Sequence, residues 1–327
     1  LSVEVSGTTI KAFCDDDQLF VWTGRPSQLS LSQQQWAVPE PGRLFLGTQA
    51  KFRFTKLTAA PLVDRQPEKS TSKLVWTPLF NGRDLTNFYT YLGTVAEIGR
   101  TVKKDSQSYG KNNDPEGVFN VRDGVLRISG KVFGGFVTEK EYENYHLKVE
   151  YRWGDKTWPP RRMMARDSGI MMHCVWSEDE FRGWPHSFVE CQMIEGGTGD
   201  LILVGDGTQK FSVESERRDG QIYFNPGATP ITQARGRFNW FAHDPAWKDV
   251  KDFRGKQDVE RPLGEWNTLE CICERDKITA ILNGKVVNVG NYTGRVKGNI
   301  IIPSQGAEIF LRKIEIKLLS PTNAGTR

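Results

Sequence analysis

An antiparallel β-sandwich of the jelly-roll kind is the all-β fold this sequence predicts, and three observations predict it. Short apolar runs of strand length recur along the chain, several of them alternating apolar and polar residues as a half-buried strand does. Clusters of Gly, Asn and Asp separate the runs, as hairpin turns require. Helical periodicity is nearly absent, which leaves two curved sheets packed face to face as the architecture. At 327 residues the chain can bury a substantial core, as one large β domain or as one domain with a smaller companion.

Taken in order, residues 1–5, 9–14, 19–22, 43–47 and 52–57 read as strands between turn clusters such as Asp15-Asp16-Asp17 and Pro39-Glu40-Pro41-Gly42. Similar segments return in the same order over residues 269–319, a weak internal repeat. Residues 1–63 are therefore expected to be a partial β module, the remnant or docked closing strands of a preceding sandwich, with a structural role. Residues 64–73 are polar and read as a linker, residues 74–320 as the main domain, and residues 321–327 as a tail. Within the main domain, strands are expected at 118–121 and 125–129 across an Asp123-Gly124 turn, at 136–138 and at 145–153. Residues 101–116 read as an exposed insert. Residues 205–262, with Trp240, His243 and Trp247, read as a long excursion of the kind that lines a site.

Composition excludes some classes. Charged residues make up 26% and hydrophobic ones 38%, ordinary for a globular chain. The net charge of +4 is mild, and the cations are spread out, which argues against nucleic acid as a partner. No apolar run approaches the ~18 residues of a membrane span. The cysteines, Cys14, Cys174, Cys191, Cys271 and Cys273, lack framework spacing and read as buried free thiols. Leu1 follows no signal-like segment, and a domain truncated before it is an open expectation.

The chemistry is expected between Asp167 and Asp200. Two strand-length runs, residues 169–175 and 187–194, flank a charged segment with a Trp184-Pro185-His186 tip. Strict alternation sets Met171, His173 and Val175 on one face, and Glu190 and Gln192 together on a face of the second run. A carboxylate inside Phe188-Val-Glu-Cys-Gln-Met-Ile is costly unless paired or used. Glu195 joins Glu190 and Gln192 only if a bulge corrects its parity, and it reads equally as a solvated turn residue before Gly196-Gly197. Asp200 and Asp206 read as turn formers, with a cation such as calcium as the alternative.

Several segments together resemble the 3-keto-disaccharide hydrolase family. They are Trp76-Thr-Pro-Leu-Phe-Asn-Gly-Arg-Asp-Leu, Val121-Arg-Asp-Gly-Val-Leu, Asp167-Ser-Gly-Ile, Glu190-Cys-Gln, Gly264-Glu-Trp-Asn-Thr, Leu282-Asn-Gly-Lys-Val-Val and Gln305-Gly-Ala-Glu-Ile-Phe-Leu-Arg-Lys-Ile. The resemblance implies a concanavalin-A-like jelly roll related to laminarinase-type glycoside hydrolases, an activity on 3-keto glycosides, and a periplasmic or secreted setting. One departure is Asp167, where the family usually has Asn. The laminarinase-type row Glu-x-Asp-x-x-Glu becomes Glu190, Gln192 and Glu195, without the middle acid, which weakens a two-carboxylate retaining mechanism.

A keto-glycoside route needs a base for the C2 proton, a group that stabilises the enolate, and an acid for the leaving oxygen. The expected catalytic set is Glu190 as base, His173 as proton relay or metal ligand, and Glu195. The expected substrate-binding set is Gln192, Asp167, Arg312 (as oxyanion partner), Trp184, His243 and Gln305. A divalent metal is an open cofactor, and the partner is a carbohydrate. The alternative function is a non-catalytic, lectin-like sugar-binding module, because fold alone does not decide function.

Overall fold

The structure, a computed structural model, describes residues 2–6, 9–14, 17–23, 75–93, 108–175 and 185–319. The chain divides into two compact units, Leu1–Thr71 and Ser72–Arg327. In the first, β1 (Ser2–Ser6), β2 (Thr9–Cys14) and β3 (Asp17–Thr23) form a 3-stranded antiparallel sheet in that order. The strands expected over residues 43–47 and 52–57, the linker at 64–73 and the tail at 321–327 lie outside the described residues.

The second unit holds, in chain order, β4 (Thr77–Pro78), β5 (Phe88–Leu92), β6 (Gly110–Lys111), β7 (Phe119–Arg122), β8 (Val125–Ile128), β9 (Gly134–Thr138), β10 (Tyr145–Thr157), β11 (Asp167–Val175) and β12 (Ser187–Ile194). It continues with β13 (Leu201–Val204), β14 (Phe211–Arg218), β15 (Gln221–Phe224), β16 (Pro230–Gln233), β17 (Gly236–Phe238), β18 (Asn267–Glu274), β19 (Lys277–Leu282), β20 (Lys285–Tyr292), β21 (Asn299–Ser304) and β22 (Ala307–Leu318). These strands build an 11-stranded and an 8-stranded sheet. The smaller sheet runs β17-β13-β12-β11-β21-β9-β5-β6. The fold is an all-β sandwich, and no helix among the described residues is long and apolar enough to cross a membrane.

Two-residue hairpins set much of the register. Arg122 pairs with Val125 across Asp123-Gly124, and both turn residues have positive φ, 51° and 79°. That is the type I′ geometry whose twist matches antiparallel strands. On β10 the alternation noted in the sequence becomes alternate burial: Leu147, Val149 and Tyr151 face inward at 0% exposure, with Lys148 and Glu150 facing outward. Burying such a side chain stabilises by roughly 1.5–3 kcal/mol.

From the smaller sheet, Ile170, Met172, Val189, Cys191 and Leu203 fill the same core as Leu147 and Leu311 of the larger one. The Cys273 thiol meets Met172 Sδ across the sheets at 3.5 Å. Cys174, Cys191, Cys271 and Cys273 are free and buried. The excursion at 205–262 is not all loop, because β14 to β17 lie within it and add to both sheets. Their charged outward residues, such as Glu214 and Arg218, hid the alternation behind a hydrophilic average.

Candidate active site

The site is built on the outer face of the smaller sheet. Register brings together side chains that are distant in sequence: Met171 lies opposite Glu190, Gly169 opposite Gln192, Glu190 opposite Ile202, and Ile202 opposite Arg237. The neighbours that point the other way belong to the core, so Asp167, Glu190, Gln192 and Arg237 share the outer face. Beside them, Val137, Met171, Cys174, Phe188 and Ile301 form a second apolar cluster on the same face. Glu190 stands at the border between this cluster and the charged residues.

Gly169 makes room for Glu190. A Cβ there would sit 2.3 Å from Glu190 Oε1, so the carboxyl folds across the bare backbone of β11. Glu190 is 6% exposed and its Oε1 has no hydrogen-bond partner. Burial first, then the negative charge of Asp167, push its carboxyl up to about 8, with Arg237 opposing. Asp167 is clamped instead. Its Oδ1 accepts from Gln192 Nε2 at 2.6 Å and its Oδ2 pairs with Arg161 Nη1 at 3.2 Å. Burial raises it to about 6 while Arg161 and Arg237 hold it down. Near neutral pH this gives one ionised and one protonated carboxyl side by side, an arrangement suited to proton transfer.

His173 does not join this group, contrary to the alternation read from sequence. The pairing of β11 shifts register between Met172 and Val175, and His173 itself has φ of 55°. This bulge turns the imidazole to the inner face, where it stacks on Tyr292 at 5.9 Å with rings 2° from parallel and lies 6.1 Å from Tyr145. Cys174 takes the outer position. Neither ring nitrogen has a hydrogen-bond partner of good geometry, and burial pushes the imidazole down to about 4. His173 is a core residue.

Glu195 is also withdrawn from the site. It forms an ion pair with the fully buried Arg166 and accepts from the backbone N–H of Arg166 at 2.8 Å and of Asp252 at 3.1 Å. Arg166 reaches on to Gly154 O of β10 at 2.8 Å, so this carboxylate ties down the end of the sandwich. Arg312 lies on the larger sheet, 46% exposed, bound to Glu150 at 2.6 Å and set over Trp266. It cannot reach the outer face of the smaller sheet. The cation there is Arg237. Gln305 follows β21, and its Oε1 is buried and unpartnered. Trp184 lies outside the described residues.

His243 does have a partner. Its Nδ1 is 3.1 Å from Asp200 Oδ1. Asp200 closes the turn before it, its N–H donating to Gly197 O at 3.2 Å, and its side chain is 0% exposed and also accepts from the Trp240 N–H at 2.8 Å and from Arg237 Nη1 at 3.2 Å. Asp206, by contrast, caps its own turn through Thr208. Among the described residues no three His, Cys, Asp or Glu side chains gather as a metal ion would need, and no step is routed through a divalent cation. Arg237 was not singled out in the sequence, and the partners of Asp200 were not foreseen, because their neighbours come from strand pairing. Glu260 was hidden likewise. It is 2% exposed, accepts from Tyr151 Oη and Trp153 Nε1 at 2.7 Å each, and is raised by burial to about 8.

An all-β sandwich with this buried carboxyl pair on one sheet face is a carbohydrate-active hydrolase or lyase fold. The chain belongs to the 3-keto-alpha-glucoside-1,2-lyase-like domain family, whose profile matches residues 75–317. No curated protein matches it. Among solved structures, a candidate glycosyl hydrolase from Parabacteroides distasonis ATCC 8503 is similar at 17% identity and TM-score 0.42, over 76% of this chain and 96% of that one. A β-glucanase of Bacillus licheniformis is similar at 8% identity and TM-score 0.38, over 75% and 98%. The κ-carrageenase of Pseudoalteromonas carrageenovora is similar at 12% identity and TM-score 0.40, over 78% and 99%.

Proposed function

We propose that the chain cleaves 3-keto glycosides by removing the C2 proton and expelling the glycosidic oxygen from C1. The observation that carries this reading is the unpartnered Glu190 carboxyl, buried beside the ionised Asp167 and within the field of Arg237. The 3-ketone acidifies C2–H. Glu190, once ionised, takes that proton, and its raised proton affinity makes it a stronger base than an ordinary carboxylate. The electron pair forms the enolate, whose C3 oxyanion Arg237 stabilises. The C1–O bond then breaks as C1=C2 forms and C3=O returns, and Glu190 hands its proton to the departing oxygen. Addition of water at C1, with a proton returned to C2, completes hydrolysis; without it the enone is the product. Gln192 and Asp167 hold the substrate and set the charge around Glu190.

The test is incubation with a 3-keto glycoside and with the corresponding plain glycoside, following release of the leaving alcohol. The expected result is release from the keto substrate alone. Binding of both sugars without release overturns the enzymatic reading in favour of a lectin-like module.

A further inference from the structure

Asp200 is the most deeply buried acid on the site's side of the molecule, and its acceptors are shared among three donors. The Trp240 N–H meets Oδ1 at 2.8 Å, Arg237 Nη1 meets Oδ2 at 3.2 Å, and His243 Nδ1 lies within reach of both oxygens, 3.1 Å from Oδ1 and 3.0 Å from Oδ2. An ionised carboxylate only accepts, so the His243 nitrogen facing it must carry the proton. The turn that leads to Asp200 is built for this contact. A Cβ on Gly197 would lie 3.0 Å from His243 Cε1 and 3.3 Å from Asp200 Oδ2, so the ring and the carboxylate occupy the space that a side chain would take. The Gln192 N–H donates to Asp200 O at 2.9 Å, which fixes the backbone of Asp200 to the strand that bears Glu190.

Arg237 is one-third exposed and lies one strand beyond Ile202, itself opposite Glu190. A long guanidinium side chain at that position has many rotamers, and ordering it costs entropy unless something holds it. Asp200 is what holds it. We propose that Asp200 is a positioning residue for the chemistry at Glu190, fixing the Arg237 guanidinium toward the two site carboxyls and His243 in its Nδ1–H form. This inference rests on the proposed function for its catalytic consequence but not for its electrostatic one.

The test uses the full chain labelled with 13C at glutamate side-chain carboxyls, with the Glu190 resonance assigned by its loss in Glu190→Gln. The groups that act on Glu190 are Asp167 of β11 and Arg237 of β17, and Glu190 in turn raises the thiol of Cys174. In Asp200→Asn, the amide that replaces Oδ2 faces Arg237 donor to donor and releases it. Without the guanidinium held toward it, the Glu190 carboxylate loses the positive charge that opposes burial, so its titration midpoint moves up from about 8. In an Arg237→Gln background the same substitution moves it less than half as far. Turnover of the 3-keto glycoside falls about tenfold or more, as expected when an oxyanion donor is misplaced. An unmoved or lowered midpoint in a folded Asp200→Asn protein overturns the proposal, as does a full shift in the Arg237→Gln background. If Asp200→Asn does not fold, Asp200→Glu keeps the charge but is one methylene too long, and the same midpoint is read. A raised midpoint in a protein without keto-glycoside activity supports the positioning role while the functional reading fails.

Discussion

Glu190 differs from an ordinary carboxyl because of three neighbours: an apolar cluster that excludes water, an ionised Asp167 and a distant Arg237. Removing one of these shows its share. Asp167→Asn takes away the adjacent negative charge, so the Glu190 midpoint falls below about 8, as carboxyl-labelled NMR titration will read. That Glu190 stands out was legible in the sequence, since a carboxylate within a continuous apolar strand has few inexpensive explanations, and the structure places it buried with Oε1 unpartnered. The role of His173 was not legible, because alternation assumes an unbroken register and a single extra residue reverses it. His173→Asn, which tolerates positive φ, is expected to keep near-normal turnover while losing about 1–3 kcal/mol of stability through lost packing, measured by urea unfolding beside activity.

At the scale of elements, the strands β11 and β12 behave as one device. Ser187–Ile194 was readable to the residue from its apolar content, and the Asp123-Gly124 hairpin from its turn residues. Gly169 within β11 permits a close approach, and the approaching group is the Glu190 carboxyl. Gly169→Ala puts a methyl where Oε1 lies, so the carboxyl must rotate out. The expected outcome is a 10–100-fold loss of kcat on a keto glycoside with little change in melting temperature. Unchanged kcat would show that the position of Glu190 over β11 does not matter. β17 was not readable at all. It has three residues, Gly236–Phe238, and its partner β13 is set by tertiary pairing, so no local pattern announces Arg237. Glu195 kept the spacing of a known carboxylate row yet ends in a clamp with Arg166, because the residue after a strand is aimed by the turn that follows it.

For the whole molecule, the sandwich itself was legible because period-two alternation and I′ turns recur along most of the main domain, and each strengthens the other. Its buried ionisable groups make stability depend on pH in a signed way. Glu190 and Glu260 stay neutral in the fold up to about 8, against 4.5 for an exposed glutamate. The stability they contribute is full below 4.5 and is lost as pH rises through about 8. His173 works in the opposite sense: pushed down to about 4 from 6.5, it contributes fully above 6.5 and loses that contribution as pH falls toward 4. Glu260→Gln removes one of the two acid terms, so its melting temperature is expected to fall less steeply between pH 6 and about 8 than that of the wild type in parallel calorimetric scans. The proposed role of Glu190, moving the C2 proton, is open to a single measurement with a C2-deuterated 3-keto glycoside. Slower release from the deuterated substrate is expected with wild-type protein, and neither release nor exchange of the C2 proton with solvent in Glu190→Gln. Equal rates for the two isotopes, together with C2 exchange persisting in Glu190→Gln, contradict it.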